Sequence, residues 1–592
     1  GFGGIFPGGR ADARDYQNPA DAYNYAPVNY LMVPQERYLL GGYADYEITP
    51  GVTAYTEVSY VQNRVNAQLA PTPVGVTLPI SINAVSPFLS AADVARLQTI
   101  DANETSINAQ RAAIDAANGC ATGAALGTLC TGLNLAGARV SALGPLFTGT
   151  SATANGAGII QGNLNWRMPS SAPRINDDER HSFRVLAGVR GEIGSGWNYD
   201  AYYMFSRTRN ANIQTGNVST AAITGALNGS RAAVNFFGPD AATPAQLASI
   251  SILAQNNTIS SLEVATGTVG GPLFDMGLGG GDVAFNGGFE YRRVTSQFIP
   301  DTALASGDVI GFNAASPTRG AYDAKEVFGE LLIPIAADRP FFEKLEITAA
   351  GRYSDYSLPT VGGQYTYAIG GQWAPIKDIT FRGQYSRAIR APNVGELFSG
   401  GGDNAPRVVD PCATAPALAA GRLRDTCIAT GVPAGVLGGP IPGPLQPNEQ
   451  ITSRTGGNPN LNAEVATTWT AGVVLKPSFI PRLSITVDYW NIEIGNAIAT
   501  AGGGAANILN LCYNTFQDPN NGFCQLITRN VATGSFDGSF NPNGSRAVVF
   551  EGAANLSSLK TRGWDIGVDY SLPLAFGLFS DESKLNINFL DT

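Results

Sequence analysis

In the stretch WNYDAYYMFSR, Trp197, Tyr199, Ala201, Tyr203 and Phe205 are apolar or aromatic and alternate with Asn198, Asp200 and Ser206, while Tyr202 and Met204 break the pattern. A period of two is the signature of an extended strand, because successive side chains point to opposite faces. The segment therefore reads as a strand with one greasy face and one wet face. RGWDIGVDYSL repeats the pattern, with Trp564, Ile566, Val568, Tyr570 and Leu572 against Asp565, Asp569 and Ser571. LEITAAGRYS does so through Leu345, Ile347 and Tyr353, and YTYAIGGQW through Tyr365, Tyr367, Ile369 and Trp373.

No stretch approaches the roughly 18 to 20 consecutive apolar residues that a membrane-crossing helix needs. The 592 residues include 71 Gly and 22 Tyr but only 4 Met and 1 His, with 14% charged, a profile of strands and turns that excludes a helical bundle. A soluble all-β protein and a transmembrane barrel both stay open, since barrel strands give a weak hydropathy signal. The formal charge of −10 argues against nucleic acid as a partner, because phosphate binding wants a basic face.

The strands pair across short turns at Thr49 to Gly51, Gly194 to Gly196, Gly277 to Gly281, Ala336 to Phe342, Pro375 to Asp378, Lys476 to Arg482 and Pro573 to Ser583. Longer segments separate the pairs: Asn63 to Asp178, Asn210 to Ser260, Arg390 to Asn460 and Asn496 to Leu556. Short turns at one end and long loops at the other describe an up-and-down meander with unlike ends, as in outer-membrane barrels with periplasmic turns and outer loops. Trp197 and Trp373 lie beside short turns, and Trp469 and Trp564 lie near long-loop ends, all four on the apolar face. This is the pattern of two aromatic girdles; ordinary core tryptophans of a sandwich are the alternative. Within the loops, SAADVARLQTI with Ser90 as N-cap, and TPAQLASISILAQN with Thr243, Pro244 and Gln246, read as short helices.

Six cysteines fall as three close pairs, all in long segments: Cys120 and Cys130, Cys412 and Cys427, Cys512 and Cys524. Such spacing suggests three disulfides closing short loops in an oxidising compartment. Zinc is the rival reading, but no pair has CxxC spacing and His181 is remote. No catalytic constellation or cofactor motif stands out. His181 reads as a rim residue, Asp177 and Asp178 as solvated turn residues, and GLGGGD and TAGGGAAN as a turn and a flexible loop. Arg382 and Gln384 alternate inward against Ile379, Phe381 and Tyr385, as do Arg184, Arg190 and Glu192 opposite Phe183, Val185 and Val189. Charged residues on such an inner face read as structural ladders.

YSRAIRAPNVGELF, followed beyond a loop carrying DPC by NPNLNAEVATTWTAGVVLKP, closely resembles the barrel of TonB-dependent outer-membrane receptors. YNYAPVNYLMVPQERY and GGFEYRRVTS resemble a subgroup found in sphingomonads and Caulobacter relatives. The resemblance implies a large antiparallel transmembrane barrel of the 22-stranded type in a Gram-negative outer membrane, with residues 1–592 as the barrel portion. About fourteen strands are read here, so an N-terminal plug and final C-terminal strands are expected outside this chain. The resemblance further implies lipid, TonB and a small nutrient (siderophore-iron, cobalamin, oligosaccharide or similar) as partners, and no enzyme activity. A passive porin or adhesin-like barrel, and a secreted β-rich enzyme, are the alternatives. Arg387, Arg390, Pro392, Glu396, Leu397 and Phe398 form the family signature, read as a barrel rim with Arg387 facing outward, the ladder breaking near Arg390, and Arg390 paired with Glu396.

Overall fold

The computed structural model describes residues 4–6, 11–15, 23–102, 156–169, 171–312, 314–439, 441, 445–446, 449–555, 558–574 and 583–592. Fourteen long strands form one antiparallel sheet in which every strand pairs with its neighbours in sequence. In chain order they are β1 (Gln35–Thr49), β2 (Val52–Leu69), β3 (Arg174–Gly194), β4 (Trp197–Val218), β5 (Ser251–Asp275), β6 (Asp282–Ile299) and β7 (Thr318–Arg339). The remainder are β8 (Phe342–Tyr356), β9 (Gly363–Ile376), β10 (Ile379–Arg390), β11 (Glu464–Leu475), β12 (Leu483–Gly495), β13 (Ser558–Leu574) and β14 (Ser583–Asp591). The up-and-down meander expected from the alternation is present, with all seven short turns at one end. Gly194, Ser195 and Gly196 all have positive φ at the β3–β4 turn, where glycine permits the tight reversal. Among the described residues the sheet does not close: β1 and β14 are its edges, and both are exposed along their length.

The sheet has two unlike faces, and among the described residues neither is covered by a second sheet. On one face Val185, Tyr203, Phe289, Val327, Ile369, Phe381 and Trp564 are all exposed, which removes the sandwich alternative for the tryptophans. So large a contiguous apolar surface needs an apolar solvent. Tyr and Trp side chains border it at the loop side: Tyr353 on Tyr365 (4.9 Å), Tyr367 on Tyr385 (6.2 Å), Trp469 on Tyr489 (4.9 Å) and Tyr489 on Trp564 (5.0 Å). At the turn side Trp373 stacks on Phe381 (5.7 Å) and Trp197 approaches Phe285 (6.4 Å).

Several strands run far beyond this band. A tilted strand crosses a bilayer in about 9–11 residues, yet β4 has 22 and β5 has 25. The segment from Asn210 to Ser260, expected as loop, is therefore largely strand at both ends, and Asp177 and Asp178 sit inside β3 and not in a turn. Beyond the exposed apolar band both faces of these strands carry polar residues, so the period-two signal disappears although the ladder continues.

The buried hydrophobic clusters lie at the loop side. One gathers Val74 and Ile160 from the pair Pro73–Ser81/Ile159–Arg167, and Met168 just after it, with Ile223, Leu227 and Phe236. It includes the expected helices: Ala91–Ala102, where Ser90 Oγ accepts the Asp93 N–H, and Pro244–Ile250, started by a Thr243/Gln246 capping box. A second joins the two C-terminal long loops around Ile508, Leu509 and Tyr513. There TAGGGAAN, expected to be flexible, forms a turn and the helix Ala505–Asn510, whose first N–H donates to the buried Glu551 carboxylate (2.9 Å). Burial of Ala505, Ile508 and Leu509, which no local pattern announces, offsets the glycine run.

Candidate functional site

The inward face of the sheet carries charged and polar side chains at many of the alternate positions of its strands. Arg184 pairs with Glu57 (2.9 Å), and Arg382 makes a two-pronged contact with Asp488 (2.8 and 2.5 Å). The Tyr55 hydroxyl donates to Asp200 (2.7 Å) while Arg190 lies 4.9 Å over its ring. On β6 to β8, Glu290, Arg292, Glu326 and Arg352 interlock: Arg352 contacts Glu326 and, at 3.3 Å, Glu290, and Arg292 reaches Glu326 at 3.4 Å. Arg184, Arg292, Arg352 and Arg382 are each matched by an anion and Arg190 by an aromatic ring, so these groups brace the wall. Higher on the wall, the Asp178 carboxylate accepts amide hydrogens from Asn176, Asn210 and Asn212. His181 sits within β3, with its Nδ1 beside the Tyr60 hydroxyl (2.8 Å) and its Nε2 3.2 Å from Glu179.

At the top of β10 the signature residues form a compact knot. The strand runs to Arg390, which stands opposite Glu464 as the last pair in register, so the ladder ends near Arg390 as the sequence reading expected. The reason is that β11 supplies a partner strand up to that level, and Pro392, two residues later, has no N–H to continue it. Asn393 and Glu396 form a capping box on the short helix Val394–Phe398, whose side chains satisfy N–H groups at both its ends of the box (2.9 and 2.8 Å). Arg390 donates to both oxygens of Glu396 (3.1 and 3.0 Å) and through Nε to Glu464 (2.5 Å). Glu464 is the last residue of NPNLNAE, and its other oxygen accepts the Ile498 N–H (2.6 Å). One guanidinium thus ties together the two motifs and the start of the next loop, and the hydrogen bond from Arg390 holds the Glu464 carboxyl below the usual range. Leu397 is buried with Leu358, Val361 and Leu461, and Phe398 lies so close to Gly320 that a Cβ there would strike its ring. Arg387 faces outward, as the alternation predicts, and donates to the Tyr365 carbonyl.

Over this rim the loops between β10 and β11 and between β12 and β13 fold into one cap. Cys412 bonds to Cys427 and Cys512 to Cys524. Cys120 and Cys130 lie outside the described residues. The cap is centred on Arg529, 1% exposed, which makes a two-pronged ion pair with the fully buried Asp410 (2.6 and 3.0 Å). Arg529 also donates to the Gly534 carbonyl (2.8 Å) and the Tyr513 hydroxyl (2.9 Å), and its charge lies 4.1 Å from the Phe536 ring centre. Sequence reasoning missed this centre, and no local signal marks it, because the partners are 119 residues apart. It also missed Glu464 as the second partner of Arg390, although the motif that ends on Glu464 was in view. Among the described residues no group of three or more His, Cys, Asp or Glu side chains could hold a metal ion.

Residues 132–588 match the family model described as TonB dependent receptor-like, beta-barrel. A search of curated proteins finds no match. Among solved structures, the chain resembles the ferric enterobactin receptor of Pseudomonas aeruginosa in complex with enterobactin, with 13% identity and a TM-score of 0.43, over 100% of this chain and 55% of that one. It also resembles the siderophore receptor PirA from Acinetobacter baumannii (11% identity, TM-score 0.40, 90% and 50% covered) and the RagAB peptide importer (11%, 0.42, 91% and 44%). The chain spans about half the length of these structures. With more than three quarters of its 592 residues inside the matched family model, the chain belongs to the TonB-dependent receptor-like β-barrel family.

Proposed function

We propose that this chain is the barrel portion of an outer-membrane receptor of a Gram-negative bacterium, which binds a scarce nutrient at its loop side and imports it with energy passed by TonB. The observation that supports this most is the pairing of two faces on one sheet. An exposed apolar band edged by Tyr and Trp suits lipid, and the opposite face is a wall of matched charges and amides that suits water and a polar solute. The loops folded over one end supply a selective entrance in place of an open pore. Family membership supports the coupling to TonB, and in this reading it passes through a plug domain.

Uptake by a deletion strain tests the proposal. Growth on siderophore-bound iron, on cobalamin and on oligosaccharides is compared with the parent, each in the presence and absence of TonB. Loss of one class in the deletion strain, matched by the strain lacking TonB, is the expected result. Uptake that persists without TonB would favour a passive porin, and a protein that fractionates as soluble without detergent would sink the membrane reading altogether.

A further inference from the structure

Of the inner-wall arginines, Arg184, Arg292, Arg352, Arg382 and Arg390 each face a carboxylate, and Arg190 lies over the Tyr55 ring. At the loop-side mouth of β2 and β3 two further arginines, held close together, also lack a carboxylate partner among the described residues. Arg167, at the end of Ile159–Arg167, donates to the Pro71 carbonyl (2.8 Å), and Arg174, the first residue of β3, donates to the carbonyl of the adjacent Ala70 (2.8 Å) and to that of Gly311 (2.7 Å). Consecutive peptide carbonyls thus anchor the two side chains, near enough for the charge of Arg167 to act on Arg174. Tyr23 lies 4.2 Å from Arg167 and Phe312 lies 5.9 Å from Arg174, each offering a ring face. Both arginines are partly exposed.

Among the described residues no acid neutralises them. Asp178, four positions further along the inward face of β3, is bound by three amides, and Asp308, three residues before Gly311, is bound by the Ser219 hydroxyl and the Ala221 N–H. A second irregularity adjoins the pair. Asn217 is fully buried, and neither its Oδ1 nor its Nδ2 has a partner. A Cβ built on Gly311, the residue whose carbonyl Arg174 holds, would lie 3.0 Å from that Oδ1. Like charges held together beside an unsatisfied amide cost free energy unless something negative joins them. Burial, and secondarily Arg167, pull the Arg174 guanidinium below its ordinary value, as expected where a counter-ion belongs.

We propose that Arg167 and Arg174 form an anion-binding subsite at the loop-side mouth, for a soluble ligand carrying carboxylate, phosphate or similar oxygens. Arg174 shares the inward face with Asn176 and Asp178, away from the lipid-facing residues Phe183 and Val185, which favours a solute over a lipid headgroup. The planar guanidinium forks are suited to two-pronged recognition of such groups. This deepens the receptor reading by naming the charge of what the mouth takes, and it rests on that reading for the identity of the ligand-receiving end.

The test is calorimetric titration of the purified full-length receptor in detergent with citrate and with inorganic phosphate, with a neutral trisaccharide as control. Citrate should bind, binding should weaken with salt, and R167Q/R174Q should lose about tenfold or more in affinity. Arg64→Gln should not, because Arg64 is exposed and already paired with Asp177. Unchanged heat-modifiable gel mobility establishes that the double variant folds. Absence of citrate and phosphate binding to the parent protein, or equal binding by the double variant, would overturn the proposal. So would a loss confined to lipopolysaccharide micelles, which would assign the anion to a lipid. Arginine-dependent citrate binding in a protein whose deletion leaves all uptake intact would refute the receptor reading and leave the subsite standing.

Discussion

Replacing Asp410 by Asn should unfold the disulfide-linked cap while leaving the sheet intact. The Arg529 and Asp410 side chains are 1% and 0% exposed, so the substitution leaves a full positive charge in the cap interior and turns an NH2 group toward it. Removing one partner of a buried pair costs about 3–5 kcal/mol, because the remaining charge stays desolvated. The neutral contacts that survive, with the Gly534 carbonyl, the Tyr513 hydroxyl and the Phe536 ring, cannot supply a counter-charge. Hydrogen exchange of the full-length protein in detergent, read on peptides covering residues 505–516 and 524–530, should accelerate by about 10²- to 10³-fold or more. Peptides from β7 to β9 should be unchanged, since their ladder is independent of the cap. The double variant Asp410→Leu/Arg529→Met, which removes both charges, should cost less than Asp410→Asn alone. Acceleration below about fivefold in Asp410→Asn, equivalent to about 1 kcal/mol, would refute the reasoning.

Digestion without reduction should yield peptides linked through Cys412–Cys427 and through Cys512–Cys524, and free thiols there would contradict the cap; a link between Cys120 and Cys130 is expected from their spacing. The Cys412→Ser/Cys427→Ser variant, whose bridge spans 15 residues, should lose about 3 kcal/mol of cap stability, measured by urea-dependent proteolysis of the loops. Glu464 lies five positions above Trp469, outside the membrane band, with its folded-state pKa depressed by Arg390. Its contribution is therefore present above the ordinary carboxylate pKa of about 4 and lost as pH falls through the lower folded value. Proteolysis of the rim around Gly400 should increase in that acid window, and Glu464→Gln should abolish that pH dependence; an identical profile in the variant would count against the knot. Ile369 is midway between Trp373 and Tyr365 on the outward face and 57% exposed, so Ile369→Arg should cost about 2–4 kcal/mol in folding into lipid vesicles, read by gel mobility. Full folding efficiency would argue against a lipid-facing band.

Much of the architecture was legible because a sheet with one lipid-facing side, as proposed, follows a local rule. Lipid demands an apolar residue at every second position within the band, and that demand is written locally in Trp197 to Phe205 and in Trp564 to Leu572. The turns were legible for a similar reason, since Gly194 to Gly196 must adopt backbone conformations that few residues accept. Outside the band the local demand lapses. The upper halves of β4 and β5 looked like loop because Asn210, Asn212 and Asn256 are polar residues whose order comes from partners on neighbouring strands, the Asp178 carboxylate and the Asn212 amide. The signature at Arg390 was recognisable as a motif, with Glu396 in reach six residues away, but Glu464 had to be delivered by the pairing of β10 with β11. The sequence by itself thus determined that the chain makes long antiparallel strands with one lipid-compatible face, because period two and turn chemistry act between near neighbours. Only the tertiary structure decided which charges are matched and which are not. The burial of Arg529 on Asp410 and the unpaired state of Arg167 and Arg174 depend on distant segments meeting at the loop side, where no local rule specifies the partner.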